Sequence, residues 1–232
     1  MEAARSHPRM VLLALALAMG ATGCQSSDWS LRRLAFWDER AELPGVVSPA
    51  ERIAALRNEA QRAGRLPVAE QEAASTRLAE AIHNESDPLI REHIVRTAGA
   101  YPTETASAIL RAALRDPDGS VRVAACRAWG SRDGDEAVHL LGETLTNDLN
   151  IDVRLAAARA LGETRHPDAV APLGEALRDK DPAVQRRAVE SLKSVTGKNL
   201  GDQVVVWLAY VRGEPLPEIP SPSLAERFWQ LF

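Results

Sequence analysis

The sequence predicts an all-α fold, an α-solenoid of about five helix-turn-helix repeats, and three observations support this prediction. Aromatic residues make up only 4% of the 232 residues and hydrophobic residues 45%, and the abundance of Ala, Leu, Glu and Arg favours helices over strands. Related blocks recur every 31 or 32 residues, a period typical of stacked helical repeats. Each block also begins with the signals of a helix start.

Four sequence blocks predict the first helix of four consecutive units. They are DPLIREHIVRTAGA, DGSVRVAACRAWGS, NIDVRLAAARALGE and DPAVQRRAVESLKS, beginning at residues 87, 118, 150 and 181. An Asp or Asn that can cap the exposed backbone N–H groups stands at 87, 116, 148 or 150, and 181, and prolines nearby suit a first helical turn. In the second block Val121, Ala125 and Trp129 fall on one face, which predicts a buried stripe.

Glycines near the end of three blocks predict where these helices stop. Gly99, Gly130 and Gly162 stand where a residue in the left-handed conformation commonly ends a helix. An Ala-Leu-Leu series at a spacing of four then predicts a second helix in each unit, because residues four apart share a face. The last unit has Lys193 in place of the glycine and a longer turn, so we expect it to cap the end of the stack.

Across residues 87–212 these blocks resemble HEAT repeats of the short bacterial type that also occurs in phycobilisome lyases. Leu78 and Ile82 continue the second-helix series upstream, which extends the expected stack to residues 48–212. The resemblance implies a right-handed stack whose second helices line a concave face, the usual binding surface of such proteins. The residues expected to contact a protein partner there are Arg111, His139, Glu143, Glu175 and Arg178.

Residues 1–23 have the pattern of an export signal. Arg5 and Arg9 precede the apolar run 11–19, which is shorter than the ~20 residues needed to span a bilayer. Small residues then lead to Cys24, an order that resembles the lipobox of bacterial lipoproteins. In that family the signal peptide is cut before the cysteine, here between Gly23 and Cys24, and fatty acyl chains such as palmitate are attached at Cys24. The alternative is an ordinary secretory signal in which Cys24 has no role.

The lipoprotein resemblance also implies a location. Two or more acyl chains hold a protein stably at a membrane. Gln25 follows Cys24 where retention in the inner membrane typically uses Asp. The outer membrane, facing the periplasm, is therefore expected rather than the inner membrane.

Aromatic residues are concentrated in two segments outside the repeats, residues 24–47 and 213–232. These are Trp29, Phe36, Trp37, Phe228, Trp229 and Phe232. The first segment is either a helix at the membrane interface or a helix docked on the first repeat. The second follows a proline-rich spacer, and folding back along the repeats, touching lipid and binding a partner all stay open for it.

The sequence shows no pattern typical of an enzyme, a metal centre, a cofactor site or a nucleic-acid interface. The net charge of −4 mixes both signs throughout, so no basic stripe is available for phosphates. No two of the repeat histidines have the i, i+4 spacing of metal ligands: His83, His93, His139 and His166. Cys126 stands where other blocks have Val or Ala, which predicts a core residue rather than a nucleophile.

Three arginines recur in register, at 91, 122 and 154. We expect them to pair with the capping aspartates of neighbouring units rather than to bind anions.

The expected function is a membrane-anchored, non-catalytic scaffold or adaptor that binds another cell-envelope protein, with no cofactor, metal or nucleic acid. Two alternatives stay open. One is a cofactor-handling or enzymatic protein related to phycobilin lyases, and the other is a structural lipoprotein of the envelope.

Overall fold

The computed structural model describes residues 47–132 and 134–217, which form ten α-helices, two short 3-10 helices and no strand. The first helices of the five hairpins are α1 Pro49–Arg62, α3 Pro88–Ala98, α5 Gly119–Gly130, α7 Ile151–Thr164 and α9 Pro182–Thr196. The second helices are α2 Val68–His83, α4 Glu104–Ala113, α6 Asp135–Asn147, α8 Val170–Ala176 and α10 Val204–Arg212. The 3-10 helices are Ala63–Arg65 and Pro167–Ala169. The all-α prediction is confirmed.

The predicted export signal and the aromatic residues of both terminal segments lie outside the described residues. This applies to Gly23, Cys24, Trp29, Phe36, Trp37, Phe228, Trp229 and Phe232. Within residues 47–132 and 134–217, no helix has both the length and the apolar character that crossing a membrane requires.

The helices form two layers, one of first helices and one of second helices. Each first helix packs against the first helix of the next unit. The core lies between the layers and contains fully buried aliphatic side chains from both, such as Ile90 and Leu161 from first helices and Leu110 and Leu141 from second helices. The Ala-Leu-Leu series of the second helices therefore faces inward, as its spacing predicts.

A side-chain cap begins each of the five first helices, and at α1 the hydroxyl of Ser48 accepts the Glu51 N–H at 3.2 Å. Asp87, Asp118, Asn150 and Asp181 each accept a hydrogen bond from the backbone N–H two residues further on, at 2.8 to 2.9 Å. These bonds satisfy one of the N–H groups that a helix start leaves without a partner. The predicted caps at 87 and 181 are confirmed, and of 148 and 150 it is Asn150 that caps. In the second block the cap is Asp118 rather than Asp116.

The expectation that Gly99, Gly130 and Gly162 end helices in the left-handed conformation is wrong. The described glycines with a positive φ are Gly134, Gly197, Gly201 and Gly213. Gly99 is a right-handed cap residue with φ −57°, whereas Gly130 and Gly162 lie within α5 and α7.

These three glycines instead allow neighbouring first helices to touch. A Cβ atom added at Gly130 would lie 2.8 Å from the Cβ and 2.9 Å from the Cα of Ala160. One added at Gly99 would lie 2.9 Å from the Cβ of Ala128. At Gly162 the added atom would lie 2.7 Å from the Oγ of Ser191. Real Cβ atoms do not approach other atoms this closely, so only glycine fits between the two backbones.

The last unit differs because, among the described residues, no further first helix packs on α9. Lys193 stands in the glycine position and forms an ion pair with Asp202 in the long turn. Helix α10 closes this unit with Trp207, which is fully buried and donates its indole N–H to the carbonyl of Gly201 at 2.9 Å.

We predict that Gly130→Ala lowers the free energy of unfolding by about 1–3 kcal/mol, the usual cost of overpacking. Helix propensity alone would favour alanine by roughly 1 kcal/mol, so a net loss reports the clash with Ala160. Urea unfolding followed by circular dichroism measures the change.

Gly64→Ala is the matched control, since an added Cβ there has no atom within 4 Å and φ is not positive. Its free energy of unfolding should stay within about 0.5 kcal/mol of the parent. Equal stability of the two variants would contradict the contact described for Gly130.

Candidate functional site

A row of partly buried ion pairs joins successive units where each second helix leads to the next first helix. Both carboxylate oxygens of each aspartate accept hydrogen bonds from one guanidinium group. The shorter contacts are 2.9 Å for Arg91 and Asp116, 2.7 Å for Arg122 and Asp148, and 2.9 Å for Arg154 and Asp179. Each arginine lies on a first helix and its aspartate lies just before the first helix of the next unit. The expected pairing between neighbouring units is therefore present.

The pairing aspartate is not the residue that caps the helix but the one two positions before it. Asp148, for example, accepts the backbone N–H of the cap Asn150 at 2.9 Å while it binds Arg122. The third donor nitrogen of Arg122 donates to the carbonyl of Asp116 at 2.8 Å. Arg154 repeats this arrangement with the carbonyl of Asp148 at 3.0 Å. These groups have their hydrogen-bond partners within the protein, so the row joins the units and is not an open anion site.

The ends of the row use other residues. Gln185 replaces arginine in the last block and keeps only the backbone contact, donating to the carbonyl of Asp179 at 2.7 Å. Near the amino-terminal end, Arg52 forms an ion pair with Glu85, whose carboxylate also accepts the N–H of Asp87.

Two aspartates of the row have lowered pKa values. Burial by itself would raise the pKa of Asp148, but the hydrogen bonds from Arg122 and from the Asn150 N–H, with the charge of Arg122, outweigh it and lower the pKa. The same balance, with Arg91 and the Asp118 N–H, lowers the pKa of Asp116. Both carboxylates are therefore charged at neutral pH.

The residues expected to face a partner lie on three second helices and in the turn after one of them. Arg111 on α4 binds Glu104 and Glu136, at 2.5 Å each, and these two hydrogen bonds raise its pKa. On α6, His139 lies 3.7 Å from Glu143, and both side chains are more than half exposed.

Glu175 and Arg178 pair with each other at 3.2 Å, near the end of α8. Both side chains are about half exposed or more. This pair therefore presents both signs of charge to solvent.

The structure brings two of these five residues to one cleft. Arg111 and Glu143 line a cavity of about 400 Å³ between α4 and α6. The remaining lining residues are two leucines and four polar or charged residues: Leu114, Leu140, Arg115, Thr144, Asn147 and Asp148. His139, Glu175 and Arg178 lie outside this lining. The cleft is the candidate binding site because it combines apolar area with opposite charges.

Sequence reasoning did not identify an apolar groove between α2 and α4. Its volume is about 500 Å³, and its apolar lining residues are Ala79, Ile82, Ala108, Ile109, Ala112 and Ala113. Ala108 and Ala112, which the Ala-Leu-Leu series does not include, are exposed. The sequence feature that could have indicated this groove is the presence of small apolar residues on both faces of α4.

His166 lies beside two aspartates that sequence spacing did not connect. Ligand atoms of Asp135, His166 and Asp168 all lie within 4.8 Å of one another. The His166 ring accepts the Asp168 backbone N–H on Nδ1 at 3.3 Å and approaches Asp135 with Nε2 at 3.2 Å. The hydrogen bond to Nδ1 and the approach to Asp135 fix the position of the ring. Asp135 begins α6, whereas His166 and Asp168 lie in the turn of the next unit, which is why the spacing of histidines alone did not reveal the group.

Cys126 is fully buried on α5. Burial raises the pKa of its thiol to about 12. The thiol therefore stays protonated at neutral pH, as expected of a core residue rather than a nucleophile.

Comparison with known proteins identifies the repeat. A family model described as HEAT repeats matches residues 75–150 and 140–208. No curated protein matches the chain.

Three solved structures are similar to the chain. Human deoxyhypusine hydroxylase in complex with glycerol has 25% identity and a TM-score of 0.48, covering 53% of this chain and 44% of the enzyme. The complex of CpcE and CpcF of phycocyanin lyase from Nostoc sp. PCC7120 has 21% identity and a TM-score of 0.46, covering 69% of this chain and 70% of that chain. An engineered protein has 20% identity and a TM-score of 0.44, covering 74% and 82%. The chain thus spans less than half the length of the human enzyme.

We predict that Arg154→Ala lowers the free energy of unfolding by about 3–5 kcal/mol, because it leaves the partly buried Asp179 carboxylate without its cation. Arg154 is 4% exposed. Arg154→Gln should lose less, since glutamine can keep the carbonyl contact that Gln185 makes in the last unit. Chemical denaturation compares the variants.

Arg159→Ala is the control for this change. Arg159 lies on the same helix and pairs with Glu163, but its side chain is 64% exposed. Its loss should cost less than about 1 kcal/mol. Similar losses at 154 and 159 would show that the row does not stabilise the stack.

We also predict that acid destabilises the protein through the row. The pKa of Asp148 in the folded chain is below its unfolded value of about 3.9, so the unfolded chain binds the proton first as pH falls. The stabilisation is complete well above pH ~4 and is lost as pH falls through the folded pKa. Urea unfolding at a series of pH values from 7 to 3 measures this loss.

Asp148→Asn should be less stable than the parent at pH 7 but should lose less stability between pH 5 and 3. Asp152→Asn, which alters an exposed carboxylate outside the row, is the matched control. An acid dependence that Asp148→Asn leaves unchanged would assign the effect to other groups.

Proposed function

Because the chain belongs to the HEAT-repeat family, we propose that it is a lipid-anchored, non-catalytic scaffold that holds another protein of the bacterial cell envelope. The observation that carries the proposal is the cleft between α4 and α6, which Arg111 and Glu143 line together with two leucines. HEAT repeats generally mediate contacts between proteins, and a cleft of this composition suits a protein segment with apolar and charged side chains.

The charged second-helix surface supports the same proposal. His139, Glu175 and Arg178 extend it beyond the cleft with exposed side chains. Since both signs of charge are present, the surface favours a partner of mixed charge over a polyanion.

The residues that could suggest catalysis have structural roles, which supports a non-catalytic function. The arginines of the row are bound to aspartates. Cys126 is protonated and buried.

The anchor is proposed from the sequence pattern before Cys24. Small residues precede this cysteine and Gln25 follows it, which supports acylation of Cys24 and a location at the outer membrane, facing the periplasm. Two or more acyl chains provide stable attachment.

We predict that Cys24→Ala releases the protein from membranes and abolishes labelling with palmitate. Expression in a bacterial host, membrane fractionation and mass determination of the mature amino terminus measure both effects. Cys126→Ala is the matched control because its thiol is buried in the repeats, and it should stay membrane-bound. Palmitate labelling that persists in Cys24→Ala would disprove the anchor.

A second experiment tests the binding surface. We predict that a photo-crosslinking amino acid at Glu143 gives a discrete adduct with one envelope protein in living cells. The same amino acid at Glu190, an exposed position on first helix α9, is the control. Charge reversal at Arg111 and Glu175 should remove the adduct. Adducts of equal yield from both positions, or none from Glu143, would contradict the scaffold.

A further inference from the structure

A second polar cavity lies at the opposite end of the hairpins from the arginine row. The turn after α3 and the end of α5 enclose about 570 Å³ there. Its lining includes Tyr101, Ser107, Trp129, Arg132 and Glu136. This cavity shares neither its position nor its residues with the cleft between α4 and α6.

Two residues of this lining carry a nitrogen donor that has no acceptor among the described residues. In the described part of the chain, the buried side-chain nitrogens and oxygens without a hydrogen-bond partner are Trp129 Nε1 and Arg132 Nε. Trp129 is 2% exposed, and the guanidinium carbon of Arg132 lies 5.5 Å from the centre of its ring. A buried donor without an acceptor costs about 1–3 kcal/mol. Both donors belong to residues that line this cavity, and no residue that the structure describes supplies them with an acceptor.

Among the residues that the structure describes, the groups that bind the Arg132 cation are neutral. Its terminal nitrogens donate to the carbonyl of Tyr101 at 2.7 Å and to the hydroxyl of Ser107. Within residues 47–132 and 134–217, no carboxylate forms an ion pair with it. Burial lowers its pKa, although the charges of Glu104 and Glu136 act in the opposite direction.

The two acidic residues near Arg132 are paired with Arg111 instead. It binds both Glu104 and Glu136. The three arginines of the row, by contrast, each bind an aspartate with two hydrogen bonds. Arg132 Nε is thus a buried guanidinium donor to which no described residue offers an acceptor.

The residue at position 129 also distinguishes this unit from the other units. Trp129 is aligned with Ala98, Leu161 and Leu192, none of which carries a side-chain N–H. The tryptophan donor therefore belongs to this unit and not to the repeat, so stacking alone does not require it.

We propose that this cavity binds a carboxylate group, whose oxygens accept hydrogen bonds from Trp129 Nε1 and Arg132 Nε. Both nitrogens can only donate, so the ligand must supply acceptors, and the arginine favours an anionic one. A singly charged group suits the site because one cation is available and Glu136 borders the cavity. It is supplied by a small free acid or by an acidic side chain of another protein.

The test uses the full chain labelled with ¹⁵N at tryptophan. The indole N–H signal of Trp129 is assigned by its absence in Trp129→Phe, which removes the donor and keeps an aromatic ring. Sodium acetate is titrated against sodium chloride of equal ionic strength. The Trp129 indole proton should shift downfield and saturate with acetate only. Trp207, whose N–H already donates to Gly201, is the internal control and should not move.

A second arm distinguishes the two sources of the carboxylate. A blocked Gly-Asp-Gly peptide is compared with its Gly-Asn-Gly counterpart and with acetate. Binding of the aspartate peptide at least tenfold more tightly than acetate assigns the site to a protein side chain, and tighter binding of acetate assigns it to a free acid. No saturable shift of Trp129 with either probe would overturn the proposal.

The Arg132→Lys variant tests whether the ligand is held by positive charge alone or also by the Nε donor. It keeps the positive charge but lacks the Nε donor, so carboxylate affinity should fall about tenfold while circular dichroism stays unchanged. Undiminished affinity would show that a general attraction between charges, and not this pair of donors, holds the ligand.

Discussion

Direct contact between the backbones of neighbouring first helices is the constraint on which the rest of the structure depends. At Gly130 the next helix is so near that even one methyl group would lie 2.8 Å from the Cβ of Ala160. This contact sets the distance between units, and the other features use that distance. Arg122 reaches Asp148 of the following unit with two hydrogen bonds, and the leucines of the second helices meet in one continuous core.

Residues that recur in each unit and residues that occur once have different roles. The glycines, the paired arginines and the capping residues recur, and each is bonded or packed within the stack. Arg111, Trp129 and Arg132 have no such equivalents in the other units. Their side chains line cavities. Stability therefore comes from the repeated pattern, and selectivity toward ligands comes from departures from it.

The period and helix caps were sufficient to predict the helical hairpins, because stripes of aliphatic residues can be buried only by stacking. The role of Gly99, Gly130 and Gly162 was not predictable, since a glycine at a helix end suits both a left-handed cap and a close helix contact. Their distinction requires the position of the next helix. The grouping of His166 with Asp135, and the orphaned donors of Trp129 and Arg132, also depend on contacts between units. Spacing within one unit carries no information about these contacts.

Position 193 is a lysine where the internal units have a glycine, and this residue marks the last unit of the stack that the structure describes. Each internal unit has a glycine against which the first helix of the following unit packs. A duplicated hairpin inserted between internal units could therefore pack in the same way. Lys193, with its ion pair to Asp202, offers no such surface. Gene duplication can therefore lengthen the stack by adding hairpins between internal units. Adding a first helix against α9 would first require that Lys193 be replaced.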